Sequence, residues 1–502
     1  MSDNIISARG ATSPAEVKIK PTPTRFRNQI SKYIIHRGQE CINCGKCVEV
    51  CTVGVHQRAG VSSFSRTQEH KCIGTTCNAC VNSCPSKALI VKINPMMESL
   101  GDYRWTSDLI LATWHQAETG ELPTNGLECQ IGNSGGGFDR LRFKFPEKPV
   151  IELKDSEIST SIPLNRRDDS AHKIEIGLPI YGGGMSYGSV GLSTIIGKAK
   201  AAKAWNIFTC TGEGGYHSSL YPYDDHVITQ VATGLFGVRE DTIKRVKIVE
   251  FKYAQGAKPG LGGHLLGDKN TPEVAAMREA VAGTPLFSPF PFHSVYSIED
   301  HKKHVDWIKA MNPEALVSVK VSTPIDVDMV AIGSYYADAH IVHIDGSYGG
   351  TGAAPNIAKK NIAMPIEYAI PRVHNFLVAE GVRDKVTLIA SGGIRTAHDV
   401  AKAIALGADG VVIGTAEMVA LECVRCAACE SGRGCPRGIA TTDPELTYMF
   451  DSEWSGQRLT NLLASWHGQL VNILKRLGMR SIRELVGRCD CLEYEGVKIH
   501  DK

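Results

Sequence analysis

What the chain lacks narrows it first. No apolar run approaches the roughly 20 residues that cross a bilayer, so no membrane span is expected. Its 55 Lys and Arg against 53 Asp and Glu leave a net charge of +2. That balance carries no footprint for nucleic acid or for an anionic membrane surface. Met1 to Lys20 is polar with no apolar stretch, so no secretory signal is expected and the thiols are read as reduced, in a cytoplasm. No strand-like run is followed by G-x-G-x-x-G, which argues against a nicotinamide dinucleotide bound directly on this chain.

Sulfur and glycine are what the chain has in excess. Most of the 16 cysteines fall in three runs, and the 50 glycines gather in bursts where backbone must approach a ligand or adopt positive φ. The first two runs are Cys41-x2-Cys44-x2-Cys47-x3-Cys51 and Cys72-x4-Cys77-x2-Cys80-x3-Cys84-Pro85. That spacing wraps 4Fe-4S cubanes, and in a two-cluster fold the fourth cysteine of each run ligates the other cluster. One cluster is therefore assigned to Cys41, Cys44, Cys47 and Cys84, and the other to Cys72, Cys77, Cys80 and Cys51. Paired zinc sites are the alternative, but zinc motifs rarely carry four thiols in so short a run ending in Cys-Pro. Such clusters move single electrons.

At 502 residues the chain exceeds what one core normally serves, which implies a small cluster domain beside a large one. Residues 1–30, with Pro14, Pro21 and Pro23, read as a tail or wrapping arm; 31–95 as a ferredoxin-like domain; 96–173 as a connector packed on the larger domain. The connector holds Trp105, Trp114 and the glycine-rich Asn133–Gly137. From residue 174 to 440, β-rich runs alternate with helical patterns: Ile174–Ile176, Ile207–Thr209, Ile248–Phe251, Leu316–Lys320, His340–Ile344, Val386–Ala390 and Val411–Ile413. An open doubly wound sheet gives similar local patterns. Glycines directly after successive strands favour an α/β fold of the (β/α)8 TIM-barrel class. In 441–502, Leu459, Leu462, Leu463, Trp466, Leu470, Ile473, Leu474 and Leu477 recur at helical spacing and predict a C-terminal helical cap.

The strand Val386–Ala390 runs into Ser391-Gly392-Gly393-Ile394-Arg395, then an amphipathic helix and a strand ending in Gly414-Thr415. Glycines at two adjacent strand ends leave backbone N–H groups free to grip a phosphate beside a helix N-terminus, which in a barrel suits flavin mononucleotide, FMN.

These motifs, with Gly184–Gly188, Thr211–Gly215, Gln255–Gly260, Ser297–Asp300, Val317–Lys320 and Gly349–Ala353, resemble the synthase domain of glutamate synthase, over about residues 174 to 490. Joined to the ferredoxin unit, the chain resembles the archaeal-type large subunits of that family. The resemblance implies FMN-dependent reductive amination of 2-oxoglutarate to glutamate by an oxidoreductase acting on CH–NH2 donors. It places Lys320 at the flavin N1 and C2 oxygen, Glu213 in proton exchange with the imine or carbinolamine, and Lys258 on a substrate carboxylate. Met185, Ser186, Gly350, Thr351 and Gly352 join Lys320, Ser391, Gly392, Gly393, Gly414 and Thr415 as the implied cofactor-binding set.

A third group, Cys423-x2-Cys426-x2-Cys429-x5-Cys435-Pro436, follows the last strand. Three cysteines hold a 3Fe-4S cluster at this place in the family, which Cys423, Cys429 and Cys435 resemble; Cys426 is an extra thiol that would complete a 4Fe-4S cubane. Departures from the family are Met1-Ser2 where long bacterial enzymes begin with a nucleophilic cysteine, and Leu261 and His264 after the Ala-Lys-Pro-Gly motif. Ammonia is accordingly expected from solution or from a glutaminase-like subunit, with a β-helical glutamate synthase subunit as a further partner of a multi-subunit assembly. The electron donor is expected to be ferredoxin or an NAD(P)H-oxidising flavoprotein. Two other readings share the scaffold: an N-methylglutamate synthase or dehydrogenase subunit using methylamine, and an FMN and iron-sulfur relay that binds no 2-oxo acid.

Overall fold

The computed structural model describes residues 5–6, 17–25, 30–60, 63–64, 66–124, 126–134, 136–148, 151–352, 354, 357–359, 361–431 and 433–495. Most of the 1–30 tail, Gly135, Ala353 and the last residues of the cap therefore lie outside the described residues.

Eight short parallel strands form the centre: β1 (Ile180–Gly182), β2 (Thr209–Cys210), β3 (Val227–Val231), β4 (Ile248–Lys252), β5 (Leu316–Ser322), β6 (Ile341–Asp345), β7 (Thr387–Ser391) and β8 (Gly410–Ile413). Their order is β1-β8-β7-β6-β5-β4-β3-β2. The remaining seam is crossed by the Gly182 N–H, which donates to Phe208 O at 2.8 Å, so the sheet closes as a TIM barrel. In β3, β6 and β7 every position is buried, as expected of parallel strands covered on both faces.

Two strand assignments differ from the sequence reading. The Ile174–Ile176 run does not enter the barrel; Glu175–Ile176 pairs antiparallel with Ile162–Pro163. Pro179 and Gly177 separate it from Ile180–Gly182, which takes the first position instead. The third strand, Val227–Val231, begins directly after a 3-10 stretch that ends at His226 and is absent from the predicted set, because Thr229 and Gln230 interrupt its apolar run.

The ferredoxin unit is tied by an antiparallel pair, Tyr33–Arg37 with Leu89–Ile93. Its halves repeat one local device: the Val55 N–H donates to Cys51 Sγ at 3.2 Å, and the Ala88 N–H donates to Cys84 Sγ at 3.3 Å.

The helix Ser452–Leu477 begins where Asp451 accepts from the Trp454 N–H at 2.8 Å and ends at Gly478, whose φ of 73° suits glycine. Seven of its eight predicted apolar positions are buried, Leu477 being partly exposed. It packs against helix Leu192–Ala204, the β1–β2 connection, and against Ser107–Thr119 of the connector. Arg458, wholly buried, donates to three carbonyls from distant segments: Ala420 O at 2.8 Å, Thr22 O at 2.9 Å and Trp114 O at 3.1 Å. The described part of the N-terminal arm runs along the same helix, where Gln457 donates to Lys18 O and Asn461 to Lys20 O. No helix among the described residues is long and apolar enough to cross a membrane.

Candidate active site

The residues singled out for chemistry all lie at the carboxyl ends of barrel strands, where barrel enzymes build their sites. Met185 and Ser186 follow β1, Glu213 follows β2, Lys258 follows β4, and Lys320 stands near the end of β5. Gly350, Thr351 and Gly352 follow β6, while Ser391 ends β7 ahead of Gly392 and Gly393. Gly414 and Thr415 follow β8.

Beneath this rim runs a buried polar chain. Glu250, on β4, accepts from Gln230 Nε2 at 2.7 Å and from Ser318 Oγ at 2.9 Å, and lies 3.0 Å from His343 Nδ1. His343 Nε2 lies 2.8 Å from Ser391 Oγ, which donates to Asp345 Oδ1 at 2.6 Å. Asp345 also accepts from the Gly256 N–H at 3.0 Å and faces Lys320 Nζ at 3.5 Å. Burial by itself opposes all these charges. Burial raises Glu250, but His343 and Lys320 outweigh it and hold the carboxyl at about 2. Asp345 likewise sits below its usual range because Lys320 and His343 outweigh its burial. Lys320 is held above the ordinary lysine value, since Asp345 and Glu250 overcome the cost of burial. The ammonium of Lys320 is therefore a fixed positive charge at the strand ends.

A second constellation lies in the loops. Glu213 pairs with Lys252 at 3.2 Å, and with Lys258 and Arg278 nearby its carboxyl stays below the usual range despite burial. Lys258 is 4 % exposed, its Nζ donating to Gly262 O at 3.1 Å. Burial first, then repulsion from Lys252, brings its pKa down to about 8. Arg278 is 5 % exposed and donates to Ser186 Oγ at 2.8 Å and to Tyr187 O at 3.0 Å, while its Nε has no partner among the described residues. Neither Lys258 nor Arg278 has a carboxylate within ion-pair range among the described residues.

The rim fits a phosphate-bearing group. Gly392 and Gly393 adopt φ of 97° and 104°, a region open to glycine, and a Cβ on Gly392 would fall 2.4 Å from Gly346 O. Among the described residues the N–H groups of Gly393 and Gly414 make no hydrogen bond. Ser347 Oγ, at the end of β6, is buried without a partner. Gly350 is pressed against Thr415, where a Cβ would stand 2.2 Å from Oγ1. Free donors and side-chain-free backbone at adjacent strand ends are what an FMN phosphate requires.

Among the described residues no group of three or more thiols, histidines or carboxylates is arranged to hold a metal ion, but several of the assigned thiols are neighbours. Cys41 and Cys84 lie near enough to feel each other's charge, and so do Cys51, Cys72 and Cys80. Arg37 donates to Cys41 Sγ at 3.3 Å and to Cys47 Sγ at 3.6 Å. In the third run, Cys423, Cys429 and Cys435 are mutual neighbours, and Cys426 neighbours Cys429. That loop is wound tightly: Glu422, Arg425 and Ala427 all have left-handed φ, of 73°, 62° and 59°. It touches the β6 loop, since a Cβ on Gly352 would lie 2.8 Å from Cys429 Cβ.

Sequence reasoning passed over Glu250, His343, Asp345, Lys252 and Arg278. For the first three a signal existed: charged or titratable residues inside otherwise apolar strands, Ile-Val-Glu-Phe and Ile-Val-His-Ile-Asp, have to be compensated once both faces are covered. Arg278 gave none, as it ends a short helix in a loop excursion.

Residues 138–480 match the conserved region in glutamate synthase, and residues 40–89 match a 4Fe-4S dicluster domain. A protein of Dehalococcoides mccartyi described as an archaeal-type glutamate synthase [NADPH] is 37% identical, over 91% of this chain and 94% of its own. The archaeal glutamate synthase [NADPH] of Methanocaldococcus jannaschii is also 37% identical, over 92% of this chain and 94% of its own. The glutamate synthase [NADPH] large chain of Azospirillum brasilense is 36% identical, over 56% of this chain and 19% of its own.

Proposed function

The chain belongs to the glutamate synthase family, and from that premise we propose that it is an iron-sulfur flavoprotein that reductively aminates 2-oxoglutarate to glutamate. The observation that carries the substrate class is the pair of buried loop cations, Lys258 and Arg278, without carboxylate partners among the described residues. Three cations, Lys252, Lys258 and Arg278, share the single carboxylate of Glu213, and a dicarboxylate supplies the two further negative charges that such an imbalance favours.

Met185, Ser186, Lys320, Gly350, Thr351, Gly352, Ser391, Gly392, Gly393, Gly414 and Thr415 would hold FMN, which would supply the hydride and convert single electrons into a two-electron transfer. Lys320 provides the fixed cation against negative charge that develops at the ring. Ionised Glu213 accepts the proton that the attacking ammonia sheds and returns protons as the carbinolamine loses water. Lys258 and Arg278 fix the carboxylates and so orient the keto carbon. Cys41, Cys44, Cys47 and Cys84, and Cys72, Cys77, Cys80 and Cys51, would hold two 4Fe-4S clusters, which would supply the single electrons. Cys423, Cys429 and Cys435, with Cys426 as the optional fourth ligand, would hold a third cluster on a loop that touches the β6 loop of the rim at Gly352. Ferredoxin or an NAD(P)H-oxidising flavoprotein feeds the ferredoxin unit, and a glutaminase-like subunit or free ammonium supplies nitrogen.

Protein carrying its clusters and FMN, given reduced viologen, 2-oxoglutarate and ammonium, is expected to form glutamate. A fully loaded protein that forms none overturns the reading. Methylamine in place of ammonium separates glutamate from N-methylglutamate formation, and the absence of product with either amine leaves an electron relay.

A further inference from the structure

Arg104 belongs to the connector and lies outside residues 138–480, the segment matched by the conserved region. It is nevertheless 3 % exposed and reaches the β7 loop: a Cβ built on Gly393 would stand 3.2 Å from Arg104 Nη2. Its Nη1 donates to Ser134 Oγ at 2.9 Å and to Gly136 O at 3.4 Å, and its guanidinium stacks 4.0 Å over the Tyr348 ring. Those contacts fix one edge and one face. On the other edge, Nε is buried without a partner among the described residues.

The charge is uncompensated as well. The neighbouring Arg395 is neutralised by Asp139 and Asp399. No carboxylate lies within ion-pair range of Arg104 among the described residues. Asp139 and Asp399, which act on it from a distance, are taken by Arg395, and Glu367 has an unpartnered Oε2 of its own and is pushed toward its neutral form, first by burial. A buried guanidinium with a free Nε–Nη2 fork matches two oxygens of one phosphate.

We propose that Arg104 is a phosphate ligand of the flavin, so that the connector completes the cofactor site that the barrel begins at Gly392, Gly393 and Gly414. The proposal rests on the FMN reading above. It makes the 5′-phosphate, rather than the ring, the group that the connector recognises.

Flavin binding by the full chain tests it, read as fluorescence quenching with FMN and with riboflavin, which lacks the phosphate. Wild-type protein is expected to favour FMN by about 100-fold or more, and Arg104→Gln to lose most of that preference with riboflavin affinity unchanged. A ratio in Arg104→Gln within about threefold of wild type overturns the proposal. Should that variant bind neither flavin, Arg104→Lys decides: a lone ammonium cannot replace the fork, so its ratio is expected to fall at least about fivefold, and an unchanged ratio overturns the proposal. Wild-type protein that binds neither flavin, or both equally, overturns the FMN reading itself.

Discussion

Glu250 and His343 meet across the barrel interior at 3.0 Å although 93 residues separate them along the chain. Neither strand could bury its charge alone, and closure of the sheet brings the two together with Lys320 and Asp345 into one compensated set.

Removing Glu250 leaves the other members of that set buried and unbalanced. Glu250→Ala is expected to cost about 3–5 kcal/mol in denaturant unfolding, and Glu250→Gln less, because Gln keeps hydrogen bonds to Gln230 and Ser318. A loss below about 1 kcal/mol for the alanine variant contradicts the compensation argument. The folded carboxyl titrates at about 2 against an ordinary 4.5, so its stabilising contribution is full above 4.5 and drains away as the pH falls toward 2. Acid unfolding followed by circular dichroism should lose that component in Glu250→Gln.

Lys258 is the site lysine whose pKa approaches neutrality, at about 8. If its charge holds a substrate carboxylate, kcat/KM for the 2-oxo acid falls as pH rises through about 8, while the ammonium is lost. Lys258→Arg, which stays charged, is expected to move that limb beyond reach. An unchanged alkaline limb in the arginine variant assigns it to another group.

Lys320→Met should leave the clusters in place and lower turnover by about 100-fold, the scale of losing one preorganised charge at a reacting centre. Flavin content measured on the same preparation separates lost chemistry from lost cofactor. Full turnover with bound flavin removes Lys320 from the site.

Arg37 places a cation against the sulfurs of Cys41 and Cys47 and not against those of the second cysteine run. Replacing it with Gln is expected to lower the potential of one cluster by on the order of tens of millivolts and leave the other unmoved. An EPR-monitored redox titration reads both. Equal shifts in the two clusters contradict the assignment of Cys41 and Cys47 to one cluster.

Spacing made the 4Fe-4S dicluster domain legible, because that chemistry constrains residues that are neighbours in the chain. The barrel class followed from glycines after strands. Val227–Val231 escaped notice since Thr229 and Gln230 interrupt its apolar run, and Ile174–Ile176 misled since a run of that length pairs with whichever edge is near. The compensation of Glu250 by His343, and the approach of Arg104 to Gly393, depend on segments that only closure of the barrel and docking of the connector bring together. No local pattern records them.

Residues Gly101 to Trp105 bind in two directions at once: the Gly101 N–H donates to Val424 O at 3.1 Å, Asp102 pairs with Arg425 at 2.7 Å, and Arg104 flanks Gly393. One short peptide thus rests on the third cysteine loop and on the flavin rim. Its consequence concerns biogenesis. On the proposed ligand set, a cluster at Cys423–Cys435 would set the loop against which this peptide docks, and maturation would then run metal before flavin. Cells starved of iron should accumulate a chain that is pale in both colours and not merely in one.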